Sequence, residues 1–269
     1  MDQGHKHHFL VIAAASRGAR FFVKKALEQG HSVTALCRAA DDSAALKRME
    51  TLLANTTLAG GGMPVSSTPG SLRASSKNIL EPETYQNLLN NEPAIDRVFC
   101  FVGVTSVPQM MSTKTKLYTQ TMAALTMGMQ ASRWVEFYYH GSSGIEGVPG
   151  QGEPQLPDNF KPKWLMKLGL KIPAAQDCFK SESILAEAAE RGLNFVVFRP
   201  AWLTDTPAKR HYGYSFDTTG YGNPMLPLAG TKTTIGREDV AEEILRVATL
   251  PTAQRSVWFG RGVYITDLK

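Results

Sequence analysis

With 269 residues the chain can form one large α/β domain and bury a sizeable core without disulfide or metal staples. Its 29 basic residues are largely offset by 24 acidic ones scattered along the chain, so the net charge of +5 gives no nucleic-acid groove and does not ask for nucleic acid as a partner. Cys37, Cys100 and Cys178 are odd in number and far apart, which argues against a disulfide framework or a zinc site and for a reducing compartment.

The polar start carries His5, His7 and His8 with no further ligand fixed nearby, and it reads as a disordered tail rather than a metal site. The first apolar run, Phe9 to Ala15, is too short for a signal peptide or a membrane span, so a cytoplasmic protein with no membrane partner is expected. Strand patterns follow at Phe9 to Ala14, Ser32 to Cys37, Arg97 to Val102, Val135 to Tyr139 and Asn194 to Phe198. Helical periodicity fills the gaps at Arg17 to Gln29, Ala44 to Ala54, Glu83 to Asn90, Lys116 to Ser132 and Ala175 to Arg191. Thr56 to Ser76, rich in Gly, Ser and Thr, reads as a surface loop before a short strand. This alternation predicts an α/β fold, a doubly wound parallel sheet of Rossmann type. One domain spans 1–269, with substrate-covering segments at about 147–175 and 205–233. For the first of these, a connector packed on the core is an equal alternative.

The first strand runs into Ala13-Ala14-Ala15-Ser16-Arg17-Gly18-Ala19-Arg20 and then a helix. A phosphate-binding turn takes glycine at three places, here Ala13, Ser16 and Ala19; small residues keep the clearance and lose left-handed backbone freedom. Taken alone, this turn fits a strand-turn-helix that binds nothing better than it fits a phosphate site. The second strand ends on Arg38, a cation where enzymes for the unphosphorylated cofactor tend to place an acid, and Arg38 helped by Arg17 suits a 2′-phosphate. The expected cofactor is therefore NADP(H), against the plainer alternative of a solvated arginine.

Together with Lys180-Ser181-Glu182 and the run Gly192 to Asp205, with its Arg199-Pro200-Ala201-Trp202-Leu203-Thr204, these segments resemble the NmrA-like and biliverdin-IXβ/flavin-reductase-like branch of the atypical short-chain dehydrogenases/reductases. The resemblance runs almost end to end. It implies that Ala13, Ser16, Arg17, Gly18, Ala19 and Arg38 hold the dinucleotide, and that Val102, Gly103, Val104, Pro200 and Trp202 lie near the nicotinamide. Ser142, within His140-Gly141-Ser142-Ser143-Gly144, falls where relatives carry an active-site serine. Many relatives pair a tyrosine with a lysine four residues on; here Lys180 is present and Gln176 stands at the tyrosine's place. Lys180 then binds the nicotinamide ribose, or pairs with Asp177 or Glu182 on the helix. Other candidates for proton work are His140 and Tyr139, followed by Tyr138, Tyr118, His211, Tyr212 and Tyr214. Lys209 to Gly222 interleaves aromatic rings with glycine, as suits a flat substrate, or else forms a hairpin on the core.

Three functions remain open on these residues. The leading expectation is an NADP(H)-dependent oxidoreductase for an aromatic, conjugated or polycyclic small molecule, as in secondary-metabolite biosynthesis. A cyclase or isomerase on the same scaffold is the second, and an NmrA-like cofactor-sensing regulator, the one reading that needs a protein partner, is the third.

Overall fold

The computed structural model describes residues 6–60, 66–103, 107–112, 114, 116–141, 172–216, 232 and 234–269. Eight strands form one sheet in the order β3-β2-β1-β4-β5-β6-β10-β8. These are β1 His8–Ile12, β2 Ser32–Leu36, β3 Leu72–Ser75, β4 Ile95–Cys100, β5 Glu136–His140, β6 Phe195–Pro200, β8 Tyr212–Phe216 and β10 Arg261–Asp267. All neighbours run parallel except β8, which lies antiparallel on β10 at one edge. β7 Trp202–Thr204 and β9 Thr234–Gly236 form a separate parallel pair.

The central strands carry apolar runs because both their faces are covered. Along β1, Phe9 and Val11 enter one core cluster while Leu10 and Ile12 enter the other, the period-two alternation of a strand buried on both sides. The first cluster packs beneath α1 Arg17–Glu28, α2 Asp42–Ala54 and α7 Arg237–Thr249. The second packs beneath α3 Pro82–Asn91, α5 Leu117–Gln130 and α6 Pro173–Ala189. Short helices α4 Val107–Met111 and α8 Thr252–Arg255 are the others among the described residues.

Helix ends are set by local chemistry. The Asp41 carboxylate accepts Ala44 N–H at 2.8 Å to start α2, and Gly30, at φ +84°, takes the left-handed conformation just after α1. α5 has no cap of its own, and Asp177 from α6 supplies one, accepting Tyr118 N–H at 2.8 Å and Thr119 N–H at 3.3 Å. At Gly128 a Cβ would lie 2.4 Å from the Pro82 carbonyl oxygen, so glycine lets α3 and α5 touch backbone to side.

Each of the five expected strands and five expected helices is present with ends shifted by a few residues. One expectation changes. His7 and His8 are not tail: His8 opens β1 and meets Thr34 Oγ1 at 2.9 Å, and His7 Nδ1 lies 2.6 Å from Asp96, because both fall where the strand ends need polar partners. In the stretch from Lys209 to Gly222, Tyr212–Phe216 forms a strand antiparallel to β10, and 217–222 lie outside the described residues. All three cysteines are free and buried.

Candidate dinucleotide crevice and active site

Strand order reverses between β1 and β4, and an open α/β sheet forms its ligand crevice beyond the carboxyl ends of the strands at such a point. On the β1 side the chain leaves through Ala13, whose φ of +56° lies in the left-handed region. That conformation costs an L-residue about 1–2 kcal/mol. It is held by Ala14 N–H donating to Leu36 O at 3.0 Å and Ser16 N–H donating to Ala13 O at 2.9 Å. The turn thus keeps a backbone shape that glycine favours although no glycine is there.

The next two small residues serve the same geometry. Ser16 Oγ accepts Ala19 N–H at 3.3 Å and caps α1, while Ala19, fully buried, lets the helix lie close on the sheet. At Gly18 a Cβ would sit 3.5 Å from Phe101 and 3.8 Å from His140 Nε2, in ordinary contact. A helix N-terminus with small residues in the preceding turn is chemically suited to a pyrophosphate.

Beyond β2, Arg38 is exposed, and its carbonyl oxygen accepts a hydrogen bond from Arg48 Nη1 at 2.5 Å. Arg17, expected to assist Arg38, meets a carboxylate in this structure. Arg17 is drawn to Asp205 at 2.9 Å, and the same carboxylate holds Arg237 at 2.7 Å, so Arg17 is tied toward the start of α7. Arg48, which sequence reasoning missed, stands beside Arg38. Phasing α2 from its Asp41 cap was the available signal: Ala45, Met49 and Leu53 turn inward, leaving Arg48 on the flank.

On the β4 side Val102 is buried and Gly103 exposed. A Cβ on Gly103 would lie 3.9 Å from the Tyr118 hydroxyl, which brings that phenol to the crevice. Val104 and Ser142 lie outside the described residues, as do 147–171 of the first covering segment and 217–231 and 233 of the second.

β5 sorts its candidates by face. Tyr139 is corrected to a core residue: it is fully buried, its hydroxyl lies 3.4 Å from Cys178 Sγ and 3.5 Å from Ser181 Oγ, and burial drives its pKa well above the usual value. Tyr138, on the opposite face, is also sealed and donates to Glu136 at 2.9 Å. His140 packs its ring 5.4 Å from Phe101, and its Nε2 is buried with no hydrogen-bond partner among the described residues. Burial, aided by the Arg237 charge, lowers its pKa to about 4. The ring is therefore neutral near pH 7 and acts there as a hydrogen-bond acceptor or tautomeric donor, not as a ready acid.

Gln176 and Lys180 share one exposed flank of α6. Asp177 is occupied in capping α5, and Glu182 pairs inside the core with Arg199, so neither carboxylate holds Lys180. At the end of β6 Pro200 is buried, and just beyond it Trp202 is 69% exposed. Tyr212 donates to Glu243 at 3.1 Å, His211 is exposed, and Tyr214 lies 5.1 Å from the Trp258 ring.

No family model matches the chain, and no curated protein matches it. Solved structures do. A short-chain dehydrogenase/reductase from Veillonella parvula in complex with NADP is 15% identical, with 97% of this chain and 94% of that one covered at a TM-score of 0.60. A Rossmann-fold NAD(P)-binding family protein from Shigella flexneri is 16% identical over 98% and 94%, TM-score 0.57, and an oxidoreductase from Lactococcus lactis 12% identical over 97% and 91%, TM-score 0.59. The sheet order, the left-handed turn after β1 and these likenesses agree that the chain has a Rossmann fold.

Proposed function

We propose that the protein is an NADP(H)-dependent oxidoreductase for an aromatic or conjugated small molecule. The observation that carries this is Ala13: a turn that keeps a left-handed residue at a cost, at the switch point of the sheet, has retained the geometry of a phosphate-binding turn. Ser16-capped α1 offers its free N–H groups to the pyrophosphate, Arg38 meets the 2′-phosphate, and Lys180 meets the nicotinamide ribose. Bound there, the cofactor supplies hydride chemistry. Tyr118, beside Gly103 and anchored through its backbone by Asp177, is the phenol best sited to give a proton to substrate oxygen. Exposed Trp202 offers an aromatic surface to a flat substrate.

Titration of the purified protein with NADPH, followed by calorimetry and by nicotinamide fluorescence, tests the reading. Saturable binding is expected, together with loss of the reduced-nicotinamide absorbance when a reducible quinone is added. Failure to bind either NADPH or NADH overturns it. A second reading, a cyclase or isomerase, is favoured by one feature: Gln176 replaces the partner tyrosine of Lys180, and Tyr138 and Tyr139 are both sealed. Under it, product forms at the same rate from protein stripped of nucleotide.

A further inference from the structure

We propose that Arg237, with Arg17, receives a carboxylate carried by the substrate, so that the aromatic or conjugated small molecule is an acid; the inference rests on the reading above and adds the charge of the substrate to it. Two contacts define the place. Asp205 Oδ2 accepts from Arg17 Nη1 at 2.9 Å and Asp205 Oδ1 accepts from Arg237 Nη1 at 2.7 Å, so one carboxylate draws together guanidiniums from the first turns of α1 and α7. The backbone sets up the second contact. β7 and β9 run parallel with Thr204 beside Gly236, and the next residue of each chain segment is Asp205 and Arg237 respectively.

This trio carries two positive charges and one negative. The acids that follow Arg237 are engaged elsewhere: Glu238 pairs with Lys25 at 2.9 Å and accepts Ala59 N–H, and Asp239 accepts Lys209 N–H and Arg210 N–H. A guanidinium has five N–H donors, and each arginine meets Asp205 through Nη1, so donors remain for a second carboxylate that would bring the corner to neutrality. His140 adds a polar atom. Its Nε2 lies 3.8 Å from where a Cβ on Gly18 would stand, feels the Arg237 charge, and is buried with no hydrogen-bond partner among the described residues. Exposed Trp202 precedes Asp205 by three residues, within about 10 Å of extended chain. An aromatic ring on Trp202 with a short acid arm therefore reaches the arginines. The phosphates of the dinucleotide are met by α1 and Arg38 in the reading above, which leaves Arg237 to the substrate.

Calorimetry on NADP⁺-loaded and nucleotide-free protein measures the binding of trans-cinnamate and of its neutral counterpart trans-cinnamamide. The proteins are wild type, Arg237→Met, Arg237→Lys and Asp205→Asn, with folding confirmed by circular dichroism. Wild type is expected to bind cinnamate about tenfold or more tighter than cinnamamide. Arg237→Met should abolish that preference and keep NADP⁺ affinity within about twofold, Arg237→Lys should retain part of it, and Asp205→Asn should enlarge it by roughly two- to fivefold. Equal binding of acid and amide by wild type, or a preference that survives Arg237→Met, overturns the proposal. So does failure of both probes to bind, and so does a parallel loss of NADP⁺ affinity in Arg237→Met, which would give the arginine to the cofactor. In each of these cases the dinucleotide reading stands as long as wild type binds NADP⁺. Absence of NADP⁺ binding, with the acid preference intact on nucleotide-free protein, removes that reading and leaves the carboxylate site.

Discussion

The two edges of the sheet treat their polar groups in opposite ways. At the amino edge they close on one another: His7 meets Asp96 at 2.6 Å, and Thr34 Oγ1 bridges His8 and Glu92, at 2.9 Å to each. Arg97 joins Asp96 at 3.0 Å and Glu136 at 3.1 Å, and Arg255 reaches the other oxygen of Glu136 at 2.7 Å. At the carboxyl edge Arg38 and Lys180 are exposed and His140 Nε2 is buried without a partner among the described residues. Polar groups that satisfy one another offer little to a ligand, and groups left open have free energy to gain from one. The amino-edge network thus serves the fold, and the carboxyl edge is where the proposed dinucleotide would bind.

The largest effect that tests this division is expected from Glu136→Ala, which strands buried Arg97 and Arg255. Stability should fall by about 3–5 kcal/mol in urea denaturation, with nucleotide affinity of the folded fraction unchanged. A loss of affinity without loss of stability would break the comparison.

Protonation comes next. His31, buried by the amino edge with His7 and Arg97 nearby, has its pKa lowered to about 4, chiefly by burial, as does His140 at the other edge. A base whose folded pKa lies below its unfolded value of about 6.5 leaves stability whole above that pH. The loss then grows as pH falls from 6.5 toward 4, on the order of 2 kcal/mol for His31. His31→Gln should flatten that slope in denaturation curves run across this window. NADP⁺ should move the NMR titration of His140 and leave that of His31 in place, which sharpens the contrast between the edges.

Ala13→Gly should raise stability by about 1 kcal/mol, since glycine takes the left-handed conformation without penalty. Elsewhere in a strand or helix the same change lowers stability, so a loss here would mean that the turn is unstrained. The smallest effect is expected from Asp205→Asn. The exposed pair with Arg17 adds well under about 1 kcal/mol to stability, but releasing Arg17 should tighten dinucleotide binding by roughly two- to fivefold. Weaker binding would show Asp205 to be part of the crevice rather than a competitor for it.

Much of the architecture was legible because it depends on burial. A strand such as β1, covered on both sides, must be apolar throughout, and α1 must show the Phe22, Val23 and Ala26 face that packs on it. The short strands β7 and β9 and the antiparallel edge β8 carry no such pattern, because each is only three to five residues long and partly exposed. The candidate crevice was legible where it follows the chain, in the turn and helix start from Ala13 to Ala19 and at the strand end marked by Arg38. It was not legible where partners come from afar. Tyr139 and His140 are adjacent in sequence, yet the pleat sends one into the core with Cys178 and the other toward Phe101 and Gly18. Arg17 looked free until Asp205, 188 residues later, was found beside it.

The left-handed Ala13 also bears on the order in which the chain folds. Glycine would reach this conformation locally, whereas alanine must be held there; of its two holding bonds one is local, Ser16 N–H to Ala13 O, and the other joins Ala14 to Leu36 on β2. The second bond needs β1 and β2 paired, so Ala13→Gly is expected to show a low φ-value in folding kinetics. Relief of the strain by Ala13→Gly should then leave the folding rate nearly unchanged and slow unfolding, so the residue at the mouth of the crevice sets how long the folded molecule lasts more than how fast it forms.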